Sequence, residues 1–299
     1  MKVGLIDVDG HNFPNIPLMK ISAWHKKQGD TVGKYFPFDH YDRVYMSKVF
    51  TFTPDYEHHV NAKEVIKGGT GYSYPDGGQK LPNEIEHIYP DYLLYNVNDT
   101  AYGFLSRGCP RGCDFCIVKR KEGQRSEKVA DLEEFWNGQK NINLCDPNMF
   151  ACKDWKELAE QLIDSKAWVD FNQGVDIRTM TEEKAAYIKK MKVKRVHFAF
   201  DRYEDKDAII PKFKMFKTVT GWDRRKMVVY VLTNYNTTHE QDLERVYTLR
   251  ELGFDPYIMI FNKWETKPTD TVRRLQRWVN SPAIFRTVER FEDYKGGKR

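Results

Sequence analysis

Cysteine is scarce in this chain: five among 299 residues, an odd number, with three crowded into one short run. A disulfide framework uses an even set spread along the chain, so this count argues against one and for a reducing, cytoplasmic setting. No apolar run reaches spanning length, so neither a transmembrane helix nor a membrane partner is expected. The opening MKVGLIDVDG lacks the basic n-region, apolar stretch and cleavage site of a signal peptide, and reads as a first strand. Charge of one sign is also sparse. The 48 Lys and Arg residues face 43 Asp and Glu, a net +5, too mild to indicate nucleic acid by itself. Two local excesses, KRKEGQRSEK at 119–128 and RRLQRW at 273–278, keep a nucleic-acid partner open against the plainer reading of solvated helical faces.

Repeats and low-complexity tracts are missing too. What the chain has is alternation of strand-like and helix-like segments, the mark of an α/β fold. Residues 1–95 give a short first strand, a helix over NIPLMKISAWHKKQGD, and strands in DRVYMSKVFTF and AKEVIKGGTGY. They predict a small Rossmann-like domain that ends in the irregular GYSYPDGGQKLPNEI. From 96 to 265 the rhythm is regular. Strands are expected in TAYGFLSRG, NINLCD, WVDFNQG, RVHFAFD, KMVVYVLTN and PYIMIFN, with helices between, including SEKVADLEEFWNG directly after the cysteines. Six such units imply a parallel sheet, open or closed as a partial (β/α)6 barrel. Residues 266–299 read as a basic helical extension. In parallel folds the chemistry gathers at the carboxyl ends of strands. Cys109, Asp146, Gln173, Asp201 and Asn234 all fall there.

The crowded run is RGCPRGCDFC, a CxxxCxxC pattern with glycine and proline between the thiols. Thiolates suit zinc or iron–sulfur clusters. A structural zinc site wants four protein ligands, commonly from two knuckles, and no second knuckle follows here. An ordinary ferredoxin-type cluster wants four cysteines in other spacings. Three thiolates on a four-iron cluster would leave one iron open to a non-protein ligand, which is a catalytic arrangement.

GCPRGCDFCIV resembles the cluster loop of the radical SAM superfamily, and the likeness in pattern covers roughly residues 95–265. The resemblance implies a TIM-like partial barrel in which Cys109, Cys113 and Cys116 hold a 4Fe-4S cluster. S-adenosylmethionine (SAM) would chelate the fourth iron. One electron, from a reductant such as flavodoxin or ferredoxin, would cleave it to a 5′-deoxyadenosyl radical that takes hydrogen from a substrate. Carried over position by position, Phe115 would lie beside the adenine. HFAFDRYED would bring Asp201 to the methionine or ribose, and GVDIRTMTEE would offer Arg178. LCDPNMF would present Asp146 and Asn148 to SAM, although the glycine-glycine-glutamate signature of many members is absent. For these polar residues, capping and turn chemistry is the competing reading. Cys145 and Cys152 read as buried, inert thiols, against the alternative of a radical-quenching or covalent thiol, for which Cys145 at its strand end is the nearer candidate.

The N-terminal part resembles the cobalamin-binding domain that precedes the barrel in one branch of that superfamily. Asp9-Gly10-His11 echoes its DxH, but the domain is short, so a cap that has lost the cofactor is the favoured reading. A methyltransferase using cobalamin is the alternative enzyme. A non-enzymatic metal-cluster protein binding nucleic acid is the alternative of another class. DVDG also resembles a phosphatase nucleophile loop through Asp7 and Asp9, but the chain offers no convincing place for the other motifs of that family.

Overall fold

A computed structural model describes residues 1–10 and 13–296, so the His11 reading lies outside the described residues. The chain forms two compact units, Met1–Val169 and Asp170–Arg299. The first therefore holds both the N-terminal sheet and the cysteine loop.

In that unit β1 (Lys2–Asp7), β2 (Thr31–Lys34), β3 (Tyr41–Ser47) and β4 (Ala62–Gly68) form a parallel sheet in the order β2-β1-β3-β4. This order is that of a doubly wound sheet. Four strands stand where three were legible, because TVGK is too short to show a period. Among the described residues, Ile16–Lys27 is the one regular helix between these strands. Asn15 caps it by accepting from the Leu18 amide, and His25, Lys26 and Lys27 sit in its last turn, where the dipole favours cations. Leu18 and Ile21 pack on Val3 and Leu5. Ile6, Tyr41, Val44 and Met46 form a separate apolar cluster with Tyr35 and Tyr56.

The chain continues into β5 (Thr100–Gly103), β6 (Ser106–Arg107), β7 (Glu127–Lys128) and β8 (Asn141–Leu144). β5 pairs with β8 in parallel, as the expected βαβ rhythm requires, but β6 pairs with β7 antiparallel. Two expectations change here. TAYGFLSRG is not one strand, because the Leu105 and Ser106 amides leave the ladder to donate to the Asp146 carboxylate. SEKVADLEEFWNG is not an α-helix. Its first residues close onto β6, and one 3-10 turn, Leu132–Glu134, follows with a capping box between Asp131 and Glu134. Leu132 and Phe135 are both buried by that single turn. The Phe135 ring lies so close to Gly103 that a Cβ there would meet it at 2.4 Å. Helix Trp155–Ser165 runs as the sequence predicts, and the first unit ends inside β9 (Trp168–Phe171).

The second unit contains helix Glu182–Lys190, capped by Thr181, then β10 (Lys192–Val193) and β11 (Val196–Ala199). Helix Lys206–Thr220 passes through Pro211 without ending. β12 (Met227–Thr233), helix His239–Leu252 and β13 (Asp255–Ile260) follow, then helices Thr271–Val279 and Pro282–Thr287 in the expected extension. β11, β12 and β13 are parallel neighbours in that order. Phe198, Phe213, Phe216 and Phe254 fill the core of this unit with edge-to-face contacts. The architecture is α/β with parallel sheets. Among the described residues no one sheet holds all six strands expected between Thr100 and Asn262. No described helix is long and apolar enough to cross a membrane.

Candidate functional site

The cysteine loop leaves the sheet at β6 and returns at β7, so one two-residue antiparallel ladder pins both ends of residues 108–126. Gly108 makes the first turn with φ +86°, and a Cβ there would come within 1.9 Å of the Arg125 carbonyl oxygen. Only glycine fits this position. The Cys109 amide donates to Gly123 O at 3.2 Å and the Cys116 amide to Cys113 O at 3.0 Å, which folds the thiol-bearing stretch back on itself. None of the three thiols is in a disulfide. Cys109 and Cys113 are half-buried and Cys116 is exposed. Phe115 is half-buried on the same loop.

Two residues from the end of β8 meet this loop. Asn148 is buried, and its Nδ2 donates to Cys109 Sγ at 3.4 Å, while its own carbonyl oxygen accepts from Ser126 Oγ at 2.8 Å. Asp146 is buried as well. Its two oxygens accept from the Leu105 amide at 3.0 Å, the Ser106 amide at 2.6 Å and Ser106 Oγ at 2.8 Å. Burial pushes its carboxyl up to about 6, against the pull of those three donors. Asp146 thus fixes the backbone that launches the cysteine loop.

Glu122 and Arg107 brace the loop from inside, and sequence reasoning missed both. Glu122 lay in a run read as a basic face. Its buried side chain accepts from the Gly108 amide at 3.4 Å and pairs with Arg107 at 3.5 Å. Arg107 also lies over the Phe104 ring at 3.8 Å. Cys145 is buried and its thiol is pushed up to about 12, and burial raises Cys152 too, which disfavours the thiolate at both.

Among the described residues no three His, Cys, Asp or Glu side chains converge where a single ion could sit. A four-iron cluster takes each thiolate on a different iron, so it suits three soft ligands spread along one tight loop. The donor set and the glycine-closed turn fit such a group.

Arg178 and Asp201 belong to the second unit. Arg178 Nε donates to Asp176 Oδ1 at 2.8 Å, and its Nη1 donates to Asp205 Oδ2 at 3.2 Å. Asp201 stands just past β11. Burial pushes its carboxyl up to about 6, while Arg245, the Leu232 backbone and Arg178 hold it down. Arg245 is a further residue the sequence reading missed. Its helix reads as a surface helix, yet the side chain is 1% exposed. It donates to the carbonyls of Phe200 (2.6 Å), Asp201 (3.1 Å) and Leu232 (2.7 Å) and pairs with Asp242. One guanidinium thereby ties the carboxyl ends of β11 and β12 together. The only available signal was the i,i+3 spacing of Asp242 and Arg245 on a helix after a strand.

The N-terminal acids have structural partners. Asp7 accepts from the Tyr95 hydroxyl at 2.7 Å. Asp9 accepts from the Val49 and Phe50 amides and from Thr53 Oγ1.

Comparison with known proteins adds a limited likeness. No family model matches the chain. It is similar to a CDK5RAP1-like protein of Oryza sativa subsp. japonica, with 31% identity over 105 residues that cover 31% of this chain. The match spans 17% of the length of that relative.

Proposed function

We propose that the chain is a radical SAM enzyme in which Cys109, Cys113 and Cys116 hold a 4Fe-4S cluster. The observation that carries this reading is the CxxxCxxC loop itself: three thiols outside any disulfide on a turn that only glycine can close, pinned at both ends by β6 and β7. The partial (β/α)6 barrel over 96–265, behind a small N-terminal domain, belongs to the same proposal. It is supported by the parallel pairings of β5 with β8 and of β11 with β12 and β13. The likeness to the CDK5RAP1-like protein is too short to carry an activity.

A bound cluster and SAM supply one-electron reductive cleavage and hydrogen abstraction from a substrate, with the electron delivered by an external reductant such as flavodoxin or ferredoxin. The residues of the chain prepare for that chemistry. Asn148 donates to Cys109 Sγ and so fixes the position of that sulfur on the loop. Asp146 and Ser106 hold the loop backbone in register. In this reading Phe115 offers an apolar face to an adenine, and Arg178 and Asp201 offer charge to the polar groups of SAM.

Anaerobic reconstitution with iron and sulfide tests the proposal. The expected product is brown and releases 5′-deoxyadenosine from SAM on reduction. Replacing the three cysteines by alanine should abolish both properties. Asp201→Asn should weaken SAM binding and leave the visible absorption intact. Colourless protein holding stoichiometric zinc, with no deoxyadenosine formed, would overturn the reading in favour of a non-enzymatic metal protein.

A further inference from the structure

The second unit carries a groove of its own, lined only by residues after Asp170. It occupies about 810 Å³ on one face of β11, β12 and β13, within the size range of small-ligand sites. The opposite face of the sheet is core: Phe198, Val229 and Ile258 are all 1% exposed or less. Alternation along the strands therefore sends His197, Tyr230 and Tyr257 to the groove.

The three rings form a connected ladder across the strands. His197 and Tyr230 lie parallel, 3° apart with centroids at 5.3 Å. Tyr257 meets Tyr230 edge-on at 5.8 Å. Tyr257 is 44% exposed and Met259, two residues along β13, is 47% exposed, so the open end of the ladder is an uncovered apolar platform. Burial lowers the His197 imidazole below its usual value, so this wall is neutral at pH 7.

The rim is cationic. Arg195, immediately before β11, and Arg225, two residues before β12, are exposed, and Arg195 Nε donates to the Arg225 carbonyl oxygen at 3.2 Å. Arg286 pairs with Asp255 at 2.6 Å, which leaves two rim arginines without a carboxylate in the groove lining. Asp170, near His197 and Tyr230, is the other acidic group on this side. Buried His197 Nδ1 and Asp255 Oδ1 have no hydrogen-bond partner among the described residues. Asp201 stands beyond the carboxyl end of β11, about 13 Å of strand away from His197.

We infer that this groove binds a free nucleotide, with the base on Tyr257 and Met259 and the phosphate on Arg195 and Arg225. Flat aromatic faces recognise bases by stacking and tolerate many base identities. Guanidinium forks match phosphate oxygens in pairs. An apolar ring platform flanked by two arginines fits a molecule with a planar aromatic end and a dianionic end.

Calorimetric titration of the full chain with GMP tests this, guanine being absent from SAM. GMP should bind, with guanosine and inorganic phosphate each roughly tenfold weaker or more. Arg225→Ala and Arg195→Ala should each weaken GMP about tenfold, and both positions are exposed enough to keep the fold. Tyr257→Ala should weaken it by about fivefold or more, while Tyr257→Phe retains it. The alanine triple variant at Cys109, Cys113 and Cys116 should bind GMP as the parent does. Equal affinity for GMP and guanosine, indifference to both arginine changes, or loss of binding in the cysteine variant would overturn the assignment. So would binding of a trinucleotide with none of GMP.

Discussion

Asp146 illustrates how a single carboxylate can fix the entry to a loop. It is 4% exposed and accepts three hydrogen bonds from Leu105 and Ser106, which lie directly before the cysteine loop. Burial still raises it from 3.8 to about 6. A carboxyl with a raised native value holds its proton longer in the folded chain. Its contribution therefore favours folding below about pH 4 and is lost as pH rises to about 6, a swing on the order of 3 kcal/mol. Chemical denaturation at pH 4, 5 and 6 should show that fall in the parent and a flatter profile in Asp146→Asn. At pH 7 the same variant should be destabilised by about 1–3 kcal/mol, because an amide turns a donor toward donors.

The cysteine loop and the helix His239–Leu252 each depend on one residue that locks them. Gly108→Ala places a Cβ 1.9 Å from the Arg125 carbonyl oxygen and forces a left-handed φ on alanine. Reconstituted iron and sulfide should fall severalfold in that variant with the far-ultraviolet circular dichroism unchanged. Arg245→Met leaves the buried Asp242 without its cation, held by the Thr237 hydroxyl alone, and frees the carbonyls of Phe200 and Leu232. Urea unfolding should report a loss of about 3–5 kcal/mol. The sequence made the locked elements themselves legible in unequal degree. Helix His239–Leu252 was readable because Thr238, Gln241 and Gly253 are sequence-local stop and start signals. β6, β7 and the 3-10 turn at Leu132 were not, because they follow from Asp146 capturing two amides some forty residues away. No periodicity carries that information.

At the scale of the whole molecule, the alternation of strands and helices was enough to read an α/β chain with parallel sheets. The trio of cysteines was enough to name the metal-binding candidates. The braces around them were not legible, since Glu122, Arg107 and Arg245 look like ordinary surface charge until burial is known. Cluster binding to the folded chain alone should shift its unfolding equilibrium by mass action. Reconstituted protein is expected to melt several degrees above the metal-free form under anaerobic conditions, as read by scanning calorimetry, and the difference should vanish in the triple cysteine variant.

The antiparallel ladder between β6 and β7 has a consequence for how this chain could change. It holds the two stems of a nineteen-residue excursion one strand spacing apart, whatever lies between them. Closing entropy for such a segment grows only slowly with its length. With Gly108, Glu122 and Ser126 holding the stems, the turn between them can lengthen or shorten while β5, β8 and the hydrophobic core behind them keep their register.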